Sequence, residues 1–81
     1  MKILKVSYNS SVRRFTVSIP DILLVESKPL PVVRARIQSC GKLESGEKDE
    51  ILARLEQFAT QPNDQLFMGA LQPVPQEPKG V

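Results

Sequence analysis

The fold is decided by an alternating stretch near the start of the chain, KILKVSYNSSVRRFTVSI at positions 2–19. Apolar or aromatic residues at every second position indicate two β-strands, at 3–8 and 12–19, each with one face toward a core. Residues 9–11 (Asn-Ser-Ser) are typical of a turn, because these side chains can bind their own backbone. We therefore predict a β-hairpin over residues 2–19. Its core face holds Leu4, Val6, Tyr8, Phe15, Val17 and Ile19.

A second periodicity, at helical spacing, covers residues 45–60. Ser45 is a suitable N-cap, and the acidic residues that follow it interact favourably with the positive end of the helix dipole. Pro62 cannot continue the helix. We predict one amphipathic helix that packs across the sheet. Its apolar stripe consists of Ile51, Leu52, Leu55, Phe58 and Ala59.

Residues 32–38 (VVRARIQ) fit two structures. As a strand, they alternate apolar residues with Arg34 and Arg36. As a helix, they would have Pro31 in the first turn and Gly41 just beyond the end. We favour the strand, because the alternation is regular.

The remaining segments complete a small α+β fold. Residues 65–71 are apolar enough to pack as a short strand or a helical turn, and the prolines beyond them indicate an extended segment. A chain of 81 residues makes one domain at most. We predict a single α+β domain over residues 1–71, in which one amphipathic helix packs across an antiparallel sheet of about three or four strands. An extended Pro-rich C-terminal tail follows at 72–81.

The composition argues against catalysis. The chain has no histidine and one cysteine, Cys40, so it lacks a base that titrates near neutral pH and any Cys–His or Ser–His pair. Its four glycines are scattered and form no phosphate-binding loop. The acidic run at 44–50 lacks the spacing of a metal-binding loop. We therefore predict no enzyme activity, no cofactor and no metal site.

The sequence also bears on location. Lys5 interrupts the apolar run near the start that could otherwise act as a signal peptide, and no stretch approaches the roughly 20 apolar residues of a membrane span. A single cysteine cannot build an internal disulfide framework, which fits a reducing compartment. We expect a cytoplasmic protein that does not bind a membrane.

Charge is divided unevenly along the chain. Residues 1–42 contain eight basic and two acidic residues, whereas residues 43–81 contain three basic and seven acidic ones. If the strands at 2–8, 12–19 and 32–38 share one sheet, basic residues collect on the face away from the core. Such a surface attracts an acidic protein or phosphate. The predicted partner-binding residues of this basic sheet face are Lys5, Arg13, Arg14, Arg34 and Arg36.

Residues 14–24 (RFTVSIPDILL) resemble the strand and helix start of ribbon-helix-helix repressors. The resemblance implies a DNA-binding homodimer in which two such strands pair with each other. Arg14, Thr16 and Ser18 would then read the major groove. It also implies a helix, not a strand, over residues 22–38.

The predicted hairpin also resembles the opening of Phox–Bem interaction domains. In that family a lysine on the first strand and an Arg-Arg-aromatic sequence on the second form a basic face that binds an acidic partner loop. Lys5 and the Arg-Arg-Phe sequence at 13–15 match this arrangement. Both resemblances are confined to short stretches, so neither assigns the chain to a family.

Taken with the absence of catalytic groups, the basic face favours binding. We expect a non-catalytic protein-binding module of the adaptor, assembly-factor or inhibitor type, whose protein partner has an acidic surface. The alternative is a DNA-binding homodimeric repressor of ribbon-helix-helix type. The sequence leaves open whether the protein forms a homo-oligomer and whether the tail docks on a partner.

Overall fold

The computed structural model describes residues 2–71 and contains one four-stranded antiparallel sheet and two helices. The order of strands in the sheet is β3-β2-β1-β4. This confirms an α+β fold, and the predicted Pro-rich tail at 72–81 lies outside the described residues. In chain order the elements are β1 (Ile3–Asn9), β2 (Arg14–Ile19), β3 (Leu23–Lys28), α1 (Leu30–Gln38), α2 (Ser45–Ala59) and β4 (Gln65–Ala70).

The predicted hairpin is confirmed. Strands β1 and β2 pair antiparallel in a register that runs from Lys5 opposite Ser18 to Asn9 opposite Arg14. The turn is stabilised by the side chain of Asn9, whose Oδ1 accepts hydrogen bonds from the backbone and hydroxyl of Ser11. On the core face, the rings of Tyr8 and Phe15 stack with their centroids 4.6 Å apart.

The prediction of a strand at 32–38 is wrong, because these residues form helix α1. Pro29 is the N-cap, and Pro31 lies in the first turn, where a fixed φ suits a helix and a missing N–H costs no hydrogen bond. Val33 and Ile37 are four residues apart, so a helix brings both to one face, where both are fully buried. The fold therefore has two helices on the sheet instead of the single predicted one.

The long predicted helix is confirmed as α2, with a different N-cap. Glu44 takes that position instead of Ser45, and its backbone N–H donates to Glu47 Oε1 at 2.9 Å. Capping by a carboxylate at the third helical position satisfies one of the free N–H groups at the helix start. Residues 65–71, left open between strand and helical turn, contain strand β4.

Both helices cover the same face of the sheet. Helix α1 packs against β2 and β3, and α2 packs against β1 and α1. The buried core between these layers contains apolar side chains of β1, β2, β3, α1 and α2, together with Leu43 and Leu71 of the connecting segments, and the half-buried Phe67 of β4 packs against it. The opposite face of the sheet is covered by none of the residues that the structure describes. No helix within residues 2–71 has the length and apolar content needed to cross a membrane.

Candidate interaction surface

The side of the sheet that no residue within 2–71 covers is here called the open face. Side chains alternate between the two sides of a strand, so the residues between the buried core positions point toward the open face. Strand β1 contributes Ile3, Lys5, Ser7 and Asn9; β2 contributes Arg14, Thr16 and Ser18; β3 contributes Leu24 and Glu26; and β4 contributes Leu66, Met68 and Ala70.

Apolar side chains border the open face on both sides. Leu66 and Met68 of β4 are 66% and 67% exposed, and Leu24 of β3 is 55% exposed. Between these outer strands lie the smaller side chains of β1 and β2, and Ser7 stands directly between Thr16 and Leu66. Apolar groups that remain in water on a regular surface are typical of a binding site.

The charges of the open face have one sign on its central strands. The central strands β1 and β2 contain two charged residues, Lys5 and Arg14, and both are basic and exposed, whereas the edge strand β3 carries Glu26 and Lys28. Lys5 stands between Ser18 and Met68, and no salt bridge to it is present within the described part of the chain. Arg14 reaches toward β3, where its Nη1 donates to the backbone oxygen of Ser27 at 3.1 Å. The open face therefore combines apolar borders with a basic centre.

The structure divides the five predicted partner-binding residues between different surfaces. Lys5 and Arg14 lie on the open face, as predicted. Arg13 lies in the β1–β2 turn with a positive φ of 53° and lines a cavity of about 430 Å³ beside the end of α2.

Arg34 and Arg36 are on α1, which packs on the other side of the sheet, so the expectation that they share the sheet face is wrong. Arg34 also forms an ion pair with Glu56 of α2, with Nη2 and Oε2 2.7 Å apart. The cause is the helical conformation of residues 32–38, which removes them from the sheet.

The apolar border on β4 was not among the predicted site residues. The signal that could have found it is the composition of β4, QLFMGA, which has apolar residues on both faces and no charge. A half-buried strand usually alternates apolar with polar residues, whereas a strand covered on both faces does not. In the described residues, Leu66 and Met68 lack that second cover.

Contacts on the helix side hold β4 and β1 in place. The Arg54 guanidinium of α2 lies over the Phe67 ring, 3.6 Å from its centroid, in a cation–π contact. At the end of β1, Lys2 Nζ contacts both carboxylate oxygens of Glu47, at 2.7 and 2.9 Å. The hydrogen bond from Lys2, together with that from the Glu44 backbone, lowers the pKa of Glu47.

The other end of β1 is tied to the segment that precedes β4. Asp64 Oδ1 accepts hydrogen bonds from the backbone and hydroxyl of Ser10, at 2.8 and 2.9 Å, and these bonds lower the pKa of Asp64. At the first end, the Leu71 N–H donates to the Lys2 backbone oxygen at 2.8 Å, so β1 and β4 are connected at both ends as well as along their ladder.

Strand β2 does not have the position that the ribbon-helix-helix resemblance implies. It is hydrogen-bonded to β1 on one side and to β3 on the other, so it has no free edge with which to pair across a dimer. The expected helix over 22–38 is instead strand β3 followed by α1. The hairpin that resembles Phox–Bem domains keeps Lys5 and Arg14 on one face, but a third strand follows it.

No group of three or more His, Cys, Asp or Glu side chains that could hold a metal ion occurs within residues 2–71. Cys40 is half-buried and unpaired among these residues. Comparisons of the chain with protein-family models, with curated proteins and with solved structures each found no significant match.

Proposed function

We propose that the chain is a non-catalytic protein-binding module, of the adaptor, assembly-factor or inhibitor type, and that the open face is its binding surface. The observation that carries the proposal is the exposure of Leu24, Leu66 and Met68 on a regular sheet face that the helices do not cover. Burial of each such side chain in an interface contributes about 1.5–3 kcal/mol, so a few of them can support specific binding.

The charge of the open face defines the chemistry of the partner. Lys5 and Arg14 attract carboxylates, and neither faces an acidic residue on the central strands. Complementary charge directs encounter and selects among partners, whereas apolar burial supplies most of the affinity. The proposed partner is therefore a protein surface with acidic side chains at its centre and apolar side chains on both sides of them. A single cysteine suits a reducing compartment, and we propose a cytoplasmic location on that ground.

The test is site-specific photo-cross-linking in cells that express the protein. A photoreactive amino acid replaces Ser18 on the open face in one variant and the exposed Ala53 of α2 in the control variant. We expect Ser18 to cross-link to a protein segment that mass spectrometry identifies as acidic and apolar, and Ala53 not to. The same adduct at both positions, an adduct with DNA at Ser18, or none there would contradict the proposal.

A pair of charge reversals tests the residues themselves. Lys5→Glu on the open face should reduce the cross-link at Ser18 by about tenfold, equivalent to about 1.4 kcal/mol of binding free energy. Arg36→Glu reverses an exposed charge on α1 and should leave the cross-link unchanged. Equal losses in the two variants would show that net charge, not the open face, determines binding.

A further inference from the structure

The two edges of the sheet differ in how they are protected against pairing with another strand. Strand β3 forms one edge and contains a register irregularity opposite Phe15–Val17, where Ser27 has a positive φ of 49°. It also carries Glu26 and Lys28, and Pro29 follows it directly. Bulges, charges and prolines are the devices by which proteins keep edge strands from pairing.

Strand β4 forms the other edge and has none of these devices. It contains no charged residue and no proline, and it pairs with β1 in an unbroken register from Ile3 opposite Ala70 to Tyr8 opposite Gln65. An uncharged, regular edge strand presents free N–H and C=O groups that another strand can bind.

The hydrogen bonds of β4 show which backbone groups are free. The Leu71 N–H donates to the Lys2 oxygen at 2.8 Å, so this residue bonds toward β1. Residues in an antiparallel strand alternate between bonding to one neighbour and bonding to the other. Leu66, Met68 and Ala70 therefore direct their N–H and C=O groups away from β1, toward the free edge.

We propose that β4 pairs antiparallel with β4 of a second copy of this chain, with Met68 opposite Met68 on the two-fold axis. This register places each Leu66 opposite the Ala70 of the other copy. All three outward-directed residues of both copies then pair, which gives about six new backbone hydrogen bonds. The result is a continuous eight-stranded sheet across two copies, each contributing the four strands of its own sheet.

The sequence of β4 favours a second copy as the occupant of this edge. In an isologous interface each strand meets its own sequence, so an edge that carries charge tends to place like charges near each other. Strand β4 is uncharged and avoids this repulsion. The proposed pairing also joins Leu66, Met68 and Ala70 of both copies into one apolar strip on the open face, in which neighbouring side chains shield part of each other from water.

The helix side of β4 selects the register centred on Met68. In that register, Phe67 lies opposite Gly69 of the second copy, which has no side chain and against which only the Phe67 ring of its own strand packs. A register centred on Phe67 would bring the two Phe67 rings face to face, each with an Arg54 guanidinium 3.6 Å above it. It would also pair fewer of the outward-directed backbone groups.

Sedimentation velocity of the full chain, from micromolar to near-millimolar concentration, tests the dimer. We expect a concentration-dependent dimer that Met68→Lys abolishes, because the lysines of the two copies would meet at the two-fold axis. Leu24→Lys is the matched control: it places the same charge on a side chain 55% exposed, against 67% for Met68, at the other edge of the sheet. A monomer at all concentrations, or a dimer that survives Met68→Lys, overturns the proposal.

Cysteine cross-linking tests the register. Directly bonded residues of an antiparallel pair have Cα atoms about 5.5 Å apart, within the range that a disulfide bridges. With Cys40→Ser as the background, Met68→Cys should form a disulfide-linked dimer under mild oxidation, and Leu24→Cys should not. A weaker yield for Met68→Cys than for a mixture of Leu66→Cys and Met68→Cys chains would overturn this register. The pairing uses the backbone edge of β4, so a parent chain that stays monomeric at all concentrations would overturn the dimer without contradicting the cross-link expected at Ser18.

Discussion

Glu47 illustrates how much one side chain can do in a small fold. It accepts two hydrogen bonds from Lys2 at the start of the sheet and one from the backbone N–H of Glu44 at the start of α2. Its side chain is 13% exposed, so the ion pair is less screened by solvent than most surface pairs. One carboxylate therefore connects the helix start to the strand that supports the open face.

The lowered pKa of Glu47 predicts a pH dependence of stability. A carboxyl group whose pKa is lowered on folding stabilises the protein above its unfolded pKa, and this contribution is lost as the pH falls through the folded value. For Glu47 the loss begins near the ordinary value of 4.5 and extends below it. Glu47→Gln keeps a capping side chain but loses the ion pair, so it should flatten the acid side of the stability profile and cost about 0.5–1 kcal/mol at neutral pH.

Urea unfolding over a pH series measures this contribution. The control is Glu56→Gln, which removes the exposed pair with Arg34 and should change the free energy of unfolding by less than about 0.5 kcal/mol. An acid profile of Glu47→Gln identical to that of the parent chain would show that Glu47 is not linked to folding.

Helix α1 is the element in which local pattern and tertiary context disagree. The alternation of apolar and basic residues at 32–38 fits a strand. The four-residue spacing of Val33 and Ile37, both buried, fits a helix equally well. The sheet has space for these two side chains only on the face covered by the helices. Helix α1 meets that requirement and leaves its arginines in water.

Substitution of the exposed residue Ala35 distinguishes helix from strand. In a helix, Ala35→Val should lower the free energy of unfolding by about 0.5 kcal/mol, because a β-branched side chain loses rotamer freedom there. In a strand the same change should raise it. Ala35→Leu is the control of similar size and should be close to neutral in a helix. Chemical denaturation of the parent chain and the two variants measures the change in the free energy of unfolding. An increase in that free energy for Ala35→Val would contradict the helical structure.

At the scale of the whole molecule, the sheet is buried on one side only. A chain of 81 residues has an expected stability of about 4–12 kcal/mol, so each core residue accounts for a large share. The fully buried residues belong to the layer between the sheet and the helices, while the open face carries leucines that remain mostly exposed. Stability thus comes from one side of the sheet, and the binding that we propose uses the other side.

Two leucine truncations test this division. Leu55→Ala removes a fully buried side chain of α2 and should cost about 2–5 kcal/mol, a large share of the expected stability. Leu66→Ala truncates a side chain that is 66% exposed and should cost less than about 0.5 kcal/mol in the monomer. Thermal unfolding of the two variants at low protein concentration measures how much stability each of them loses. Similar losses for both leucines would show that the open face is covered in the folded chain.

The sequence by itself determined the β1–β2 hairpin and helix α2. In each segment the hydrophobic period repeats over enough residues to distinguish a strand from a helix. The hairpin also has a turn signal at residues 9–11, and the helix has a termination signal at Pro62. For the same reason, the positions of Lys5 and Arg14 on one face of the sheet followed from the alternation alone.

Only the tertiary structure decided the rest. The seven residues at 32–38 are too few for their hydrophobic pattern to distinguish a strand from a helix. Packing of Val33 and Ile37 against the sheet favours the helix. The helix in turn places Arg34 and Arg36 away from the open face. The pairing of β4 with β1 joins residues that are far apart in sequence, and no local pattern encodes such a contact. The exposed apolar border on β4 is a consequence of that pairing, because only the finished sheet shows which of its sides the helices leave uncovered.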